Sequence, residues 1–246
     1  ADVQAVGSTF SSTPTLLLND YAGSLSRYKY AIGYSPKDEA LQLAHVMGQK
    51  AYRRVLMIIP ASPWGQDIAK TFITQARQEQ ITIVQTIQYG ENSNFSQLIR
   101  SGLGYSEYKT KGKNGRDQVH GSRRGDIDAI FMVAYPSTAR QIVPLLKYYY
   151  AGDVPTFATS AAYDAFFNPT QNKDLDGLYF TDIPWVFNHQ LGHRAWPETW
   201  NTYSRLYALG YDSFTLTKQW SILQSMPQSG ISKHTGVLYA MPNGHV

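Results

Sequence analysis

A parallel α/β sheet protein is predicted by three observations. Short, almost continuous apolar runs recur along the chain, amphipathic helical stretches separate them, and the two alternate from residue 55 to residue 159. Residues 128–134 (DAIFMVA) form one such run, as expected of a strand covered on both faces. Pro136 then supplies a first-turn proline. Ala139, Ile142, Val143, Leu146 and Tyr150 recur at helical spacing, placing one apolar stripe on a helix that Gly152 is expected to close. Pro144 inside it removes one backbone hydrogen bond. Residues 154–159 resume the buried-strand pattern, and strand, helix and strand in that order imply a right-handed crossover between parallel neighbours.

The other elements follow in chain order. Residues 15–18 and 28–32 read as short strands around a polar turn containing Asn19, Asp20 and Gly23. Ser35 is a helix N-cap, Pro36 takes the first helical position, Asp38 and Glu39 suit the positive helix end, and Leu41, Ala44, His45 and Gly48 continue the face. Residues 54–59 (RVLMII) are a second doubly buried strand. Ser62-Pro63 starts a helix carrying Ile68, Phe72, Ile73 and Ala76, residues 81–86 form a strand, and residues 95–99 a short helix. A strand in residues 174–185 (DLDGLYFTDIPW) stops at Asp182 and Pro184, where a hinge is expected. Residues 199–223 hold two helical patterns separated by Gly210, with Leu206, Tyr207, Phe214, Leu216 and Leu223 as expected core. A closing hairpin uses residues 237–241 as strand and Asn243-Gly244 as turn.

The chain has 246 residues and 43% hydrophobic content, enough for two lobes of ordinary size. It contains no apolar run long enough to span a membrane and no signal-peptide pattern at its start. Without cysteine it has no disulfide, thiolate metal site or cysteine nucleophile. Most of the net charge of +4 lies in residues 105–126, where Lys109, Lys111, Lys113, Arg116, Arg123 and Arg124 stand against Glu107, Asp117 and Asp126. That stretch has no apolar period and reads as a solvated loop. Lacking a helical face to enter a groove, it does not indicate nucleic-acid binding.

Motifs for catalysis are weak. His189 and His193 have the spacing of a zinc pair on a helix, but Gln190 stands where a metalloprotease needs a glutamate, and Gly192, Pro184 and Pro197 oppose a helix. Asp126 with Asp128, and Asp174 with Asp176, flank predicted strands and read as loop caps, since glycosidase chemistry needs carboxylates facing each other across a cleft. Nucleophile-elbow, P-loop and dinucleotide-binding glycine patterns do not occur. The expectation is a protein that is not an enzyme and uses no metal or cofactor. Ligands of parallel sheets approach the carboxyl ends of the strands, so Ser62, Trp64, Tyr135, Ser137 and Ser160 are the candidate crevice lining.

The order of these blocks resembles the type I periplasmic-binding fold, in which one lobe is entered, left for a second and re-entered. That resemblance implies a first lobe of residues 1–34 and 184–235, N-terminally incomplete, a second lobe of residues 35–183, and a final hairpin, 236–246, crossing back to the second lobe. Within the fold, residues 16–19 (LLLN), 34–44 (YSPKDEALQLA), 62–72 (SPWGQDIAKTF), 123–146 (RRGDIDAIFMVAYPSTARQIVPLL), 174–185 and 205–216 (RLYALGYDSFTL) are similar to the C-terminal domain of the LpoA, or LppC/YraM, family of penicillin-binding-protein activators. The resemblance implies a non-catalytic regulator that binds and stimulates a class A peptidoglycan synthase. It also implies a periplasmic location and an outer-membrane lipid anchor on an N-terminal region outside this chain. The partner-surface candidates are Lys109, Lys111, Lys113 and Arg116. The alternative is a periplasmic solute-binding protein for an amino acid or similar small molecule, held at Trp64, Tyr135 and Ser160.

Overall fold

The computed structural model describes residues 13–19, 21, 25, 28–111, 114, 116–165, 168–187, 203–225 and 228–246. Contacts divide the chain into two compact units, Ala1–Ser35 with Asp182–Val246, and Pro36–Thr181. The pair His189 and His193 lies outside the described residues, as does Lys113.

The larger unit is a doubly wound sheet. Strands β3 (Arg54–Pro60), β4 (Thr82–Tyr89), β7 (Ala129–Met132), β8 (Thr156–Ala158) and β9 (Leu178–Phe180) stand in the order β4-β3-β7-β8-β9, all parallel. Alternation along β3 decides what each face buries. Val55, Met57 and Ile59 point to helices α1 (Pro36–Gln49) and α2 (Pro63–Gln78), which contribute Met47, Ile68 and Phe72. Leu56 and Ile58 point to the opposite face, where α3 (Phe95–Gly102) supplies Ile99 and α4 (Pro136–Tyr148) supplies Ala139, Ile142, Val143 and Leu146. Phe72 stacks on Phe131 of β7 at 3.9 Å. Burying each of these side chains contributes about 1.5–3 kcal/mol.

Local chemistry sets the element ends. The Ser62 hydroxyl accepts from the Gly65 N–H at the start of α2, and the Asn94 side chain accepts from the Gln97 N–H at the start of α3. Asp128, just before β7, accepts from the backbone N–H groups of both Arg53 and Arg54 at 3.0 and 2.9 Å, fastening the entrance of β3 to that of β7. Helix α4 accommodates Pro144 and ends at Tyr148, before Gly152. Tyr150 takes the left-handed turn at φ 59°, and its carbonyl accepts from Arg123 Nε at 2.6 Å.

Residues 105–126, expected as a solvated loop, contain an antiparallel hairpin, β5 (Ser106–Lys111) paired with β6 (Asp117–Ser122). Two of its neighbouring charges are spent internally: Arg123 pairs with Asp153 and Arg124 with Asp126. Lys109, Lys111 and Arg116 remain exposed on or beside the hairpin.

In the smaller unit, β1 (Thr15–Leu17) pairs in parallel with β2 (Lys29–Ala31), and Ala31 is bridged in parallel by His245. Helix α7 (Ser204–Ser225) is continuous through Gly210 and buries Leu209, Leu216 and Leu223 with Ile32 and Leu238. Leu206 and Phe214, expected in the core, are 60% and 62% exposed because they lie on the opposite face of that single helix. The short helix α5 (Pro169–Asn172) follows β8 in the larger unit, and α6 (Pro184–Phe187) follows β9 in the smaller one. The expectation that residues 236–246 cross back to the second lobe is corrected. Strand β11 (Val237–Leu238) pairs with β10 (Ile231–Ser232), and the bridge from His245 to Ala31 keeps the closing segment in the smaller unit. Asn243-Gly244 does turn the chain, with Gly244 at φ 85°, but the turn returns His245 to Met241 rather than opening a new sheet.

Candidate functional site

The carboxyl ends of β3, β4 and β7 open onto a groove of about 750 Å³. Its walls are the loop Pro60-Ala61-Ser62, the turn from Tyr89 to Ser93, and the first turns of α3 and α4. Parallel neighbours end at the same level, so loops distant in sequence meet there. The turn after β4 is closed on itself: Gly90 N–H donates to the Ser93 hydroxyl at 2.8 Å and Ser93 N–H to the Gly90 carbonyl. Tyr89 forms part of the floor. Its hydroxyl donates to the Val133 carbonyl at 2.8 Å, and burial pushes its phenol pKa up.

Of the five crevice candidates, the structure brings Ser62, Trp64 and Tyr135 together. Trp64, in the first turn of α2, stacks on Tyr135 at 4.8 Å with 6° between the ring planes. Tyr135 caps α4 without a side-chain hydrogen bond and is 59% exposed, so its ring forms an aromatic platform held flat by the tryptophan. Ser137 follows it on α4, where its carbonyl accepts from Gln141.

Ser160 is employed differently. Its N–H and hydroxyl both donate to the carboxylate of Glu39, at 2.5 and 2.6 Å, and the Thr181 hydroxyl donates to the same carboxylate at 2.7 Å. Glu39 from the first turn of α1 therefore takes up the donors at the ends of β8 and β9. The sequence signal at Glu39 was only an acidic residue near a helix start; its partners are more than 120 residues away, beyond any local pattern. The groove residues Asn92, Ser93, Phe95, Thr138 and Gln141 were likewise missed, since none carries a motif.

Ionic chemistry elsewhere is structural. In the smaller unit Arg205 forms a two-pronged pair with Asp182, whose side chain is fully buried, and Asp212 accepts from His234 Nδ1 and from Thr235 N–H. Burial, with the nearby Asp212 and Asp182 carboxylates, pushes the Tyr34 phenol up. In the larger unit Arg124 holds the Asp126 carboxyl down to about 2. Among the described residues no cluster of three or more histidine, aspartate or glutamate side chains is arranged to hold a metal ion. No described helix is long and apolar enough to cross a membrane.

The parallel five-stranded unit, entered after residue 35 and left after residue 181, has the architecture of the type I periplasmic-binding proteins. Solved structures share it. A putative branched-chain amino acid ABC transporter from Chromobacterium violaceum aligns with a TM-score of 0.67 at 20% identity, over 99% of this chain and 73% of that one. Full-length LpoA from Haemophilus influenzae aligns with a TM-score of 0.75 at 21% identity, over 99% of this chain and 42% of that one. The LpoA (YraM) C-domain from the same organism, described as a regulator of PBP1A, aligns at 0.70 and 21% identity, over 99% and 72%.

The chain belongs to the LppC lipoprotein family, whose profile, described as LppC putative lipoprotein, matches residues 8–246. Among curated relatives, the penicillin-binding protein activator LpoA of Yersinia pseudotuberculosis is 27% identical over 274 residues, covering 97% of this chain. That of Pectobacterium parmentieri is 26% identical over 234 residues, covering 85% of this chain and 35% of its own length. The chain spans about two fifths of the length of such relatives, 41% for the Yersinia protein.

Proposed function

We propose that this chain is the C-terminal regulatory domain of a penicillin-binding-protein activator, binding a class A peptidoglycan synthase in the periplasm and stimulating it without doing chemistry itself. The observation that carries the reading is the family match over residues 8–246 together with relatives named as activators across nearly the whole chain. A lipid anchor in the outer membrane, on a region N-terminal to this chain, belongs to the same proposal and rests on the lipoprotein family. The geometry agrees with a non-catalytic role: the paired carboxylates Asp126 and Asp128 are engaged with arginines and backbone N–H groups rather than facing each other across a cleft.

The partner surface proposed is the exposed β5–β6 hairpin, with Lys109, Lys111 and Arg116 supplying positive charge for an acidic face of the synthase and Lys113 joining them by its place in the sequence. Replacing the four with alanine is expected to weaken synthase binding, measured by surface plasmon resonance; unchanged affinity rejects the surface. The solute-binding alternative has the fold in its favour, since a substrate-binding protein from Desulfitobacterium hafniense in complex with Leu aligns with a TM-score of 0.56. Against it, Ser160 is already committed to Glu39.

A further inference from the structure

The groove at the ends of β3, β4 and β7 has a chemistry the regulatory reading does not use. One side is aromatic: the outward face of Tyr135, with Tyr89 and Phe95, packed edge to face at 5.4 Å, in the same lining. The other is polar and uncharged. The Asn92 amide and the Thr138 hydroxyl make no hydrogen bond among the described residues, Gln141 spends one N–H on Ser137 and keeps its carbonyl oxygen, and Ser62, accepting from Gly65, keeps its O–H to donate. Among the described residues the lining includes no lysine, arginine or histidine and a single carboxylate, Glu91.

These features discriminate between ligand classes. An anion, including the carboxylate of a free amino acid, finds no cation. The helix starts at its wall replace one only in part: Pro136 has no N–H, the N–H groups of Thr138 and Ala139 bond to the Tyr135 carbonyl, and those of Gln97 and Leu98 bond to Asn94, which leaves the Ser137 N–H as a neutral donor for a hydroxyl. A purely apolar ligand leaves the amides and hydroxyls unpaired at a cost. A flat, neutral molecule with one C–H face and a rim of hydroxyl groups satisfies both sides at once. A cavity of about 750 Å³ falls in the ordinary range for small-molecule sites.

We infer that this groove is a saccharide-binding site, in which a neutral pyranose lies against the Tyr135 ring while Asn92, Thr138 and Gln141 hydrogen-bond to its hydroxyl groups. Trp64 is a positioning residue: it fixes the plane of Tyr135 from behind. The inference rests on the groove alone and stands or falls separately from synthase stimulation.

The test titrates cellobiose and N,N′-diacetylchitobiose into the isotopically labelled chain and follows amide shifts by NMR, with free leucine and glycine betaine as competing classes. A saccharide is expected to bind with shifts centred on residues 60–62, 89–95 and 135–141. Tyr135→Ala is expected to weaken binding about tenfold or more, and Tyr135→Phe to retain it. Tyr148→Ala, which removes an aromatic side chain 70% exposed at the other end of α4, is expected to change nothing. Since Tyr135 is itself exposed, its variants keep the fold, which the unperturbed amide spectrum checks. Absence of saccharide binding up to the solubility limit overturns the inference. So does saccharide binding indifferent to Tyr135→Ala, or occupation of the groove by leucine or betaine alone.

Discussion

Asp128 is the residue through which a short stretch of sequence organises the sheet, and removing it has a calculable consequence. Its Oδ2 accepts from the Arg53 and Arg54 N–H groups, and its Oδ1 takes the Arg54 guanidinium at 2.7 Å; the side chain is 24% exposed. In Asp128→Ala both N–H groups at the mouth of β3 lose their acceptor. Hydrogen bonds to a charged group contribute about 1.5–3 kcal/mol each, and solvent access at this edge reduces the total to about 2–3 kcal/mol. Urea unfolding at pH 7, followed by circular dichroism, measures it.

The pH dependence follows from the same contacts. The Arg54 hydrogen bonds, and those from the two backbone N–H groups, hold the Asp128 carboxyl below the ordinary carboxylate range. In the window between the folded and unfolded values the unfolded chain binds more protons. The contribution is therefore complete above the unfolded pKa, about 4, and is lost as pH falls through the folded value. Asp128→Asn keeps one acceptor but does not titrate, so the stability gap between it and the parent is expected to narrow as pH is lowered from about 5 towards 2. A loss below about 0.5 kcal/mol in Asp128→Ala, within the scatter of surface substitutions, or a gap independent of pH, refutes the reasoning.

Two further predictions concern stability. Ala51 ends α1 in a left-handed conformation at φ 59° on an exposed turn, so Ala51→Gly is expected to raise unfolding free energy by about 0.5–1 kcal/mol in the same urea assay. Asp182→Ala leaves Arg205 without the fully buried carboxylate it grips with two N–H groups, and a loss of about 3–5 kcal/mol is expected by thermal or urea denaturation.

The strands and helices of the larger unit were legible because both sheet faces are covered: β3 and β7 read as unbroken apolar runs, and α2 and α4 each carry one stripe with a proline at the start. The β5–β6 hairpin was not, since its strands are exposed on nearly every residue and no two-residue alternation marks them. Gly210 was read as a break in what is one helix; a glycine costs about 1 kcal/mol there, which the buried face of Leu209, Leu216 and Leu223 outweighs. At the site, Trp64 and Tyr135 were recoverable as residues just past strand ends. Asn92 and Gln141 were not, because only the adjacency of β4, β3 and β7 brings their loops together.

Glycan polymerisation by a class A synthase from the same organism measures the proposed stimulation. The rate from lipid-linked substrate is compared with and without the 246-residue chain. Stimulation that saturates with chain concentration and is weakened in the Lys109, Lys111, Lys113 and Arg116 alanine variant is the predicted result. An unchanged polymerisation rate at saturating chain, with no complex detected by surface plasmon resonance, contradicts the account.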